Sequence, residues 1–307
     1  MDLKESFSSA KKLISSAKRI LVSGHLSPDG DSLGSMLALV KFLNDSGYEA
    51  KAVADMNALG KPGFLDGVEE IIPVRRLRRV RKFDLFIALD CSGFERMPPE
   101  VRPVAQHLPI ICIDHHKTNS GTFGDVQIFD PTASSTGEII WRFAKWNEWK
   151  FSRQTAEALW VAMVTDTGRF AYDSTSPGTL RAAGDLLKHG VRTSYINDIL
   201  YGTFPMKAIE LKRIAWRSLH IWKNRKVAEV SLTRDDFRSV RGTKADVEDV
   251  IEIPRSVSRN EIALFFYQIP DRTKETRCSI RTRGNWDATE IAGRFGGGGH
   301  AKAAGCT

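Results

Sequence analysis

Four apolar runs in the first half of this chain each end on carboxylate or imidazole side chains. Arg19–Ser23 feeds His25-Leu26-Ser27-Pro28-Asp29-Gly30-Asp31. Asp84–Leu89 feeds Asp90, Ile110–Ile113 feeds Asp114-His115-His116, and the run closing at Val164 feeds Asp166. The first three runs are rich in Ile, Leu, Val and Phe, as strands covered on both faces are. Tyr48–Ala54 reads as a further strand, and Ser32–Asn44, Ser135–Trp146 and Gln154–Val164 read as intervening helices. That alternation predicts an α/β fold with a doubly wound, mostly parallel sheet. A parallel sheet carries the ends of its runs to one edge, where open α/β sheets build their sites. The polar clusters are therefore expected to converge.

At 307 residues the chain has room for about two domains. Composition shifts after Gly190. Pro205–His220 and Asp287–Phe295 read as helices, and Lys226–Leu232, Ile262–Tyr267 and Arg277–Thr282 as strands. We therefore expect a first domain over 1–190, a linker over 191–210, and a smaller mixed α/β domain over 211–307. The 45 basic and 37 acidic side chains leave a net charge of +8, which favours anionic partners such as nucleic acid or nucleotides. The basic run Arg75–Lys82 is the one charge block, and reads either as a solvated face or as an RNA contact. Four cysteines without a Cys-x-x-Cys pair argue against a zinc ribbon and for reduced thiols in the cytoplasm. The charged N-terminal segment lacks the apolar core of a signal peptide, and no run is long enough to span a bilayer.

Asp29 and Asp31, with His25, stand close enough in sequence to point inward from one loop. Pro28 stiffens that loop, and Gly30 is expected to let the backbone turn between the carboxylates. Two such charges at ~4 Å and an effective dielectric of ~20 repel by ~4 kcal/mol. Asp90, Asp114 and Asp166 add more charge at the same edge, so divalent cations are expected. Mixed imidazole and carboxylate ligands suit Mn²⁺, Fe²⁺ or Zn²⁺ better than Mg²⁺, and manganese is the preferred reading.

The order His-x-x-Pro-Asp-Gly-Asp, a strand-end Asp, Asp-His-His and Thr-Asp-Thr-Gly resembles the DHH phosphoesterases. Arg281-Thr282-Arg283, Gly296–His300 and Ala303-Ala304-Gly305 are similar to the DHH-associated domain of the first type. The resemblance covers nearly the whole chain. It implies two Mn²⁺ ions, with Mg²⁺ or Co²⁺ as alternatives. One would sit on His25, Asp29 and Asp90, the other on Asp31, Asp90, His115 and Asp166. It makes Asp114 the group that orients a histidine and puts His116 near the scissile phosphate. Arg281, Gly297, Gly298, Gly299 and His300 would clamp the substrate phosphate, with Arg169 reaching toward it. The implied activity is hydrolysis of short oligoribonucleotides to nucleoside 5′-monophosphates and removal of the 3′-phosphate from pAp. Linear or cyclic dinucleotides (pApA, pGpG, c-di-AMP) are the alternative substrates, and a non-catalytic nucleotide- or RNA-binding module is the alternative class. A homodimer is compatible with the sequence but not legible in it. The family pattern also continues through another strand after the point where this chain ends.

Overall fold

Six parallel strands build the sheet of the first unit: β1 Arg19–Ser23, β2 Glu49–Ala54, β3 Ile72–Pro73, β4 Leu85–Leu89, β5 Ile110–Asp114 and β6 Val126–Phe129. Their spatial order is β3-β2-β1-β4-β5-β6. Every residue of β4 and β5 is buried, as expected of strands covered on both faces. The helices of this unit are α1 Leu3–Ser16, α2 Gly30–Asp45, α3 Arg102–Ala105, α4 Thr136–Trp146, α5 Arg153–Asp166, α6 Pro177–Leu187 and α7 Thr193–Asn197. The computed structural model describes all residues except 1, 81, 117, 118, 120, 223, 224, 248 and 271–273, and describes residue 300 by its backbone alone.

The strand order reverses between β1 and β4. The chain leaves β1 toward β2 and β3, then returns to β4 and proceeds the other way to β5 and β6. Neighbouring connections that diverge in this way open a crevice at the carboxyl ends of β1 and β4. The loops carrying His25–Asp31 and Asp90 start there.

Two strands of this first unit escape the sequence reading for physical reasons. β3 is only two residues long, and β6 is a partly buried edge strand with Gln127 in its centre. The expected role of Gly30 is also corrected. It does not turn the backbone: it is the first residue of α2, and a Cβ there would lie 2.4 Å from Thr165 Oγ1. Glycine is needed because the start of α2 presses on the end of α5. Farther along, a Cβ on Gly34 would meet the Ala158 carbonyl oxygen at 2.3 Å, and one on Gly137 would meet Ala162 Cβ at 2.4 Å. Small residues thus let α2 and α4 approach α5 closely.

The chain divides into Met1–Leu200 and Tyr201–Thr307. The span expected as linker carries α7 and the start of α8 Met206–Arg217. The second unit adds β7 His220–Ile221, β8 Val227–Leu232, α9 Arg234–Val240, α10 Glu252–Arg255, β9 Ile262–Gln268, β10 Thr276–Thr282, α11 Ala288–Gly293, β11 Gly298–His300 and β12 Ala303–Cys306. Its sheet runs β11-β12-β10-β9-β8-β7 and is mixed, with β8 and β9 parallel and the other pairs antiparallel. The helix expected over 205–220 stops at Arg217, because His220 and Ile221 pair with Glu229 and Ala228 instead. Alternate residues of β8 and β9 face a core around Leu211, Phe237 and Phe265.

Candidate metal centre

Asp29 caps the N-terminus of α2, its Oδ1 accepting from Ser32 N at 3.0 Å. Asp31 sits in the first turn of the same helix and is buried. Its Oδ2 accepts from Thr136 N at 2.7 Å, and its Oδ1 from Gly137 N at 2.9 Å and Ser35 Oγ at 3.2 Å. The first amides of α4 therefore hold this carboxylate, where the helix dipole favours negative charge. Nothing in the sequence reading assigned Thr136 or Gly137 to the site, although Ser135-x-x-Glu138 has the form of a helix start.

Asp90 follows β4 with φ +58°, a left-handed conformation uncommon outside glycine and best tolerated by Asn and Asp. Its amide donates to the Ile113 carbonyl at 3.0 Å, and Thr136 Oγ1 donates to its Oδ1 at 3.1 Å. A buried carboxylate is thereby aimed into the crevice from strained backbone, a combination that collects at functional sites.

Three imidazoles surround it. His25 Nε2 lies 3.4 Å from Asp90 Oδ2 and 3.8 Å from Asp29 Oδ1. His115 Nδ1 lies 3.4 Å from the Ala133 carbonyl oxygen, so it is the nitrogen that donates there. That turns His115 Nε2 toward Asp166 at 3.4 Å and toward Asp31 and Asp90 at 3.7 Å each. His116 Nδ1 lies 2.8 Å from Asp114 Oδ1 and 3.5 Å from Asp90 Oδ1. Asp114 is fully buried, and Asn119 Nδ2 donates to its other oxygen at 2.9 Å. Asn119 went unnoticed in the sequence, where an Asn five residues past a strand end looks like any turn residue.

Asp166 lies at the end of a helix, as the reading of Gln154–Val164 expected, and not after a strand. It is the last residue of α5, a helix whose end meets the start of α2. Three residues on, Arg169 is exposed with φ +65°, between Gly168 at +55° and Phe170 at +61°. In the second unit, Arg281 lies on β10 opposite Ala263 and Ala303. Gly298 and Gly299 form the edge strand β11 against β12. A Cβ on Gly297 would meet the Gly305 carbonyl at 2.3 Å, and one on Gly299 the Ala303 carbonyl at 2.5 Å, so chain packing accounts for those two glycines. A Cβ on Gly298 meets nothing within 4 Å. The side chain of His300 lies outside the described residues.

Three sets of donor atoms each fall within 4.8 Å of one another: His25, Asp29 and Asp90; Asp31, His115 and Asp166; and Asp90, His115 and His116. Asp90 and His115 are each shared between two sets. Protonation shows what this crowding demands. Burial, then the charges of Asp90 and Asp29, push the Asp166 carboxyl up to about 8. Burial, then Asp90, Asp166 and Asp29, hold Asp31 well above the carboxylate range. Burial alone would depress His25, but its hydrogen bonds to Asp29 and Asp90 raise it to about 9. The cluster thus draws in protons as substitute cations, and its donor types fit divalent metal ions.

The profile of the DHH family N-terminal domain matches residues 19–163, and that of the DHHA1 domain matches residues 238–307. A Thermus thermophilus protein described as a bifunctional oligoribonuclease and PAP phosphatase, NrnA, is 30% identical over 94% of this chain and 83% of its own length. The chain belongs to the DHH family. Its Bacillus subtilis relative of the same description is 26% identical over 96% of this chain and 91% of its own. A solved exopolyphosphatase-related protein from Bacteroides fragilis superposes with a TM-score of 0.89 at 25% identity, covering 99% of this chain and 91% of that one. The DHH profile spans His25 through Asp114-His115-His116 and stops just short of Asp166. Among the described residues of this DHH protein, no helix is long and apolar enough to cross a membrane.

Proposed function

We propose that this chain is a metal-dependent phosphoesterase that hydrolyses short oligoribonucleotides to nucleoside 5′-monophosphates and removes the 3′-phosphate from pAp. The observation that carries the reading is the run of three donor sets linked through Asp90 and His115. His25, Asp29 and Asp90 would hold one ion, and Asp31, Asp90, His115 and Asp166 the other. Manganese suits these donors, with Mg²⁺ or Co²⁺ as alternatives. When bound, such ions supply Lewis-acid polarisation of a phosphoryl oxygen and lower the pKa of water.

The chain's own groups divide the remaining work. Burial opposes a charge on His116, but its hydrogen bond to Asp114 prevails and raises its pKa above the ordinary imidazole value. With Nδ1 held by Asp114, His116 would deliver a proton from Nε2 to the leaving oxygen. Asn119, by fixing Asp114, would keep that ring in register. Arg281 offers a planar fork for a substrate phosphate, and Arg169 a second cationic contact. Gly296 and Gly298, each with open space around them, are the residues of the glycine run best suited to letting an anion approach the backbone. The DHH relatives described as oligoribonuclease and PAP phosphatase support this substrate class, and the four free, buried cysteines support a reducing cytoplasm.

The test is product analysis with Mn²⁺ on a labelled dinucleotide, pAp, pApA, pGpG and c-di-AMP side by side. Nucleoside monophosphate from the dinucleotide and AMP from pAp are the expected products. Folded, metal-loaded protein that releases neither would overturn the proposal, and turnover confined to the cyclic or 5′-phosphorylated dinucleotides would reassign the substrate.

A further inference from the structure

The basic run after β3 is left unused by the chemistry above. It reads Val74-Arg-Arg-Leu77-Arg-Arg-Val80, and residues 74–79 form a 3₁₀ helix. A 3₁₀ helix repeats every three residues, so side chains at i and i+3 eclipse, about 6 Å apart along the axis. The sequence has that period. Val74 and Leu77 are buried, and Val80 packs on the same core. Arg75 eclipses Arg78 and Arg76 eclipses Arg79, and all four are exposed. The result is two parallel rows of guanidinium groups anchored by one apolar row.

Among the described residues none of these four arginines has an ion-pair or hydrogen-bond partner. The acids just before them are engaged: Glu70 faces Lys51 Nζ at 3.7 Å, and Glu69 accepts from Gly67 N at 3.1 Å. Eclipsed like charges repel, so nothing within the fold accounts for the pairing of the rows. Lys82 is exposed as well, while Arg81 lies outside the described residues.

The rows start beside the metal centre. Ser23 on β1, Val53 on β2 and Ile72 on β3 stand in register across parallel strands. Ile72 is therefore about 10 Å from Ser23 at two strand spacings. The 3₁₀ helix leaves the carboxyl edge directly after Pro73, on the edge from which the His25 loop also departs. Its roughly 12 Å length then leads away from that edge as the chain turns back to the start of β4. Polyanionic membrane is the other surface such a face could meet, but the apolar row is buried and offers no anchor.

We propose that Arg75, Arg76, Arg78 and Arg79 form a rail for the phosphodiester backbone of oligoribonucleotides longer than a dinucleotide, leading away from the metal centre. This rests on the phosphoesterase reading and deepens it, dividing substrates into those that end within the catalytic centre and those that continue over the β2–β3 edge.

The test compares wild type with Arg75→Gln/Arg78→Gln and Arg76→Gln/Arg79→Gln, which keep the apolar row. Each is assayed on pAp, a dinucleotide and 5′-phosphorylated RNAs of up to about ten nucleotides, at 50 and 200 mM salt. Two phosphate contacts to a single strand give a log–log salt slope of about −1.4, a loss of about sevenfold across that range. Wild type should show this loss in kcat/KM on the longer RNAs, beyond any salt effect on pAp or the dinucleotide. Each variant removes one of the two rows, so each should lower that excess dependence and lose about tenfold in kcat/KM on the longer RNAs, with the short substrates unchanged. Equal salt slopes for short and long RNA in wild type, or variants unchanged on long RNA, would overturn the rail. Should a variant fail to fold, the wild-type slopes still decide.

A separate readout is fluorescence anisotropy of a non-hydrolysable ten-nucleotide RNA, which detects the rail even if no substrate is turned over. Arginine-dependent sedimentation with phosphatidylserine vesicles, without an effect on RNA, would give the surface to membranes instead. Wild type that hydrolyses neither pAp nor the dinucleotide contradicts the catalytic reading, while intact short-substrate turnover with variant-insensitive long RNA contradicts only the rail.

Discussion

Asp90 combines three conditions that seldom coincide in one side chain: burial, left-handed backbone and membership of two donor sets. Asn tolerates the same φ and keeps an oxygen for Thr136, but it cannot supply the charge. Asp90→Asn should therefore lower kcat/KM by about three orders of magnitude or more, comparable with the loss of key electrostatic groups elsewhere. In EDTA the variant should melt no lower than wild type, because the substitution relieves carboxylate repulsion. Near-normal turnover in steady-state kinetics would refute the shared role. Residues of this kind were legible in sequence because charged and imidazole side chains stood out immediately after apolar runs. Thr136, Gly137 and Asn119 were not, since they serve the site through backbone amides, a hydroxyl or an uncharged side-chain amide. Such groups look the same in sequence whether they support a site or a turn.

The helices impose tighter limits than the sequence revealed. α2, α4 and α5 were visible from their periodicity, but their close approach was not, because a glycine in a helix gives no sign of what presses on it. At Gly34, Ala would gain about 1 kcal/mol of helix propensity yet drive its Cβ into the Ala158 carbonyl. Overpacking of this kind costs about 1–3 kcal/mol, and against backbone the upper end applies. Gly34→Ala should lower the urea midpoint with an unchanged m-value, and an equal or higher midpoint would contradict the packing. Glu138, on α4, is fully buried and receives Ser134 N at 3.0 Å, Ser134 Oγ at 2.7 Å and Thr179 Oγ1 at 2.8 Å, with Arg142 paired to its other oxygen. Burial raises its pKa, but these hydrogen bonds and the charge prevail and hold it below the usual glutamate value. A depressed folded pKa contributes stability that is present above the unfolded pKa and lost as pH falls through the folded one. Glu138→Gln should cost about 2–4 kcal/mol at pH 7, narrowing below pH ~4. Urea melts at pH 7 and pH 3.5 measure both values. A gap that widens in acid would mean that Glu138 is held as the protonated acid.

At the scale of the whole molecule, the doubly wound sheet followed from the alternation of runs and helices, and the mixed second sheet from shorter strands after residue 220. What stayed hidden were the two-residue pairings β3 and β7, the partly buried edge strand β6 and the glycine- and alanine-rich pairing of β11 with β12, where side-chain pattern carries little signal. Among the described residues, all the donor atoms of the candidate metal centre belong to Met1–Leu200. Metal binding adds free energy only to the state that holds the site, by about 2.7 kcal/mol at a hundredfold excess over Kd. For a unit of this size that corresponds to about 5–10 °C in Tm. Scanning calorimetry should resolve two transitions, since a chain of two units need not unfold in one step. Manganese should move the transition of Met1–Leu200 and leave the other in place, and EDTA should reverse the shift. Asp90→Asn should diminish that response without disturbing the metal-insensitive transition, which serves as the internal reference. A shift of the second transition alone, or no shift with Mn²⁺ in excess, would remove the metal from this site and with it the basis of the proposed chemistry.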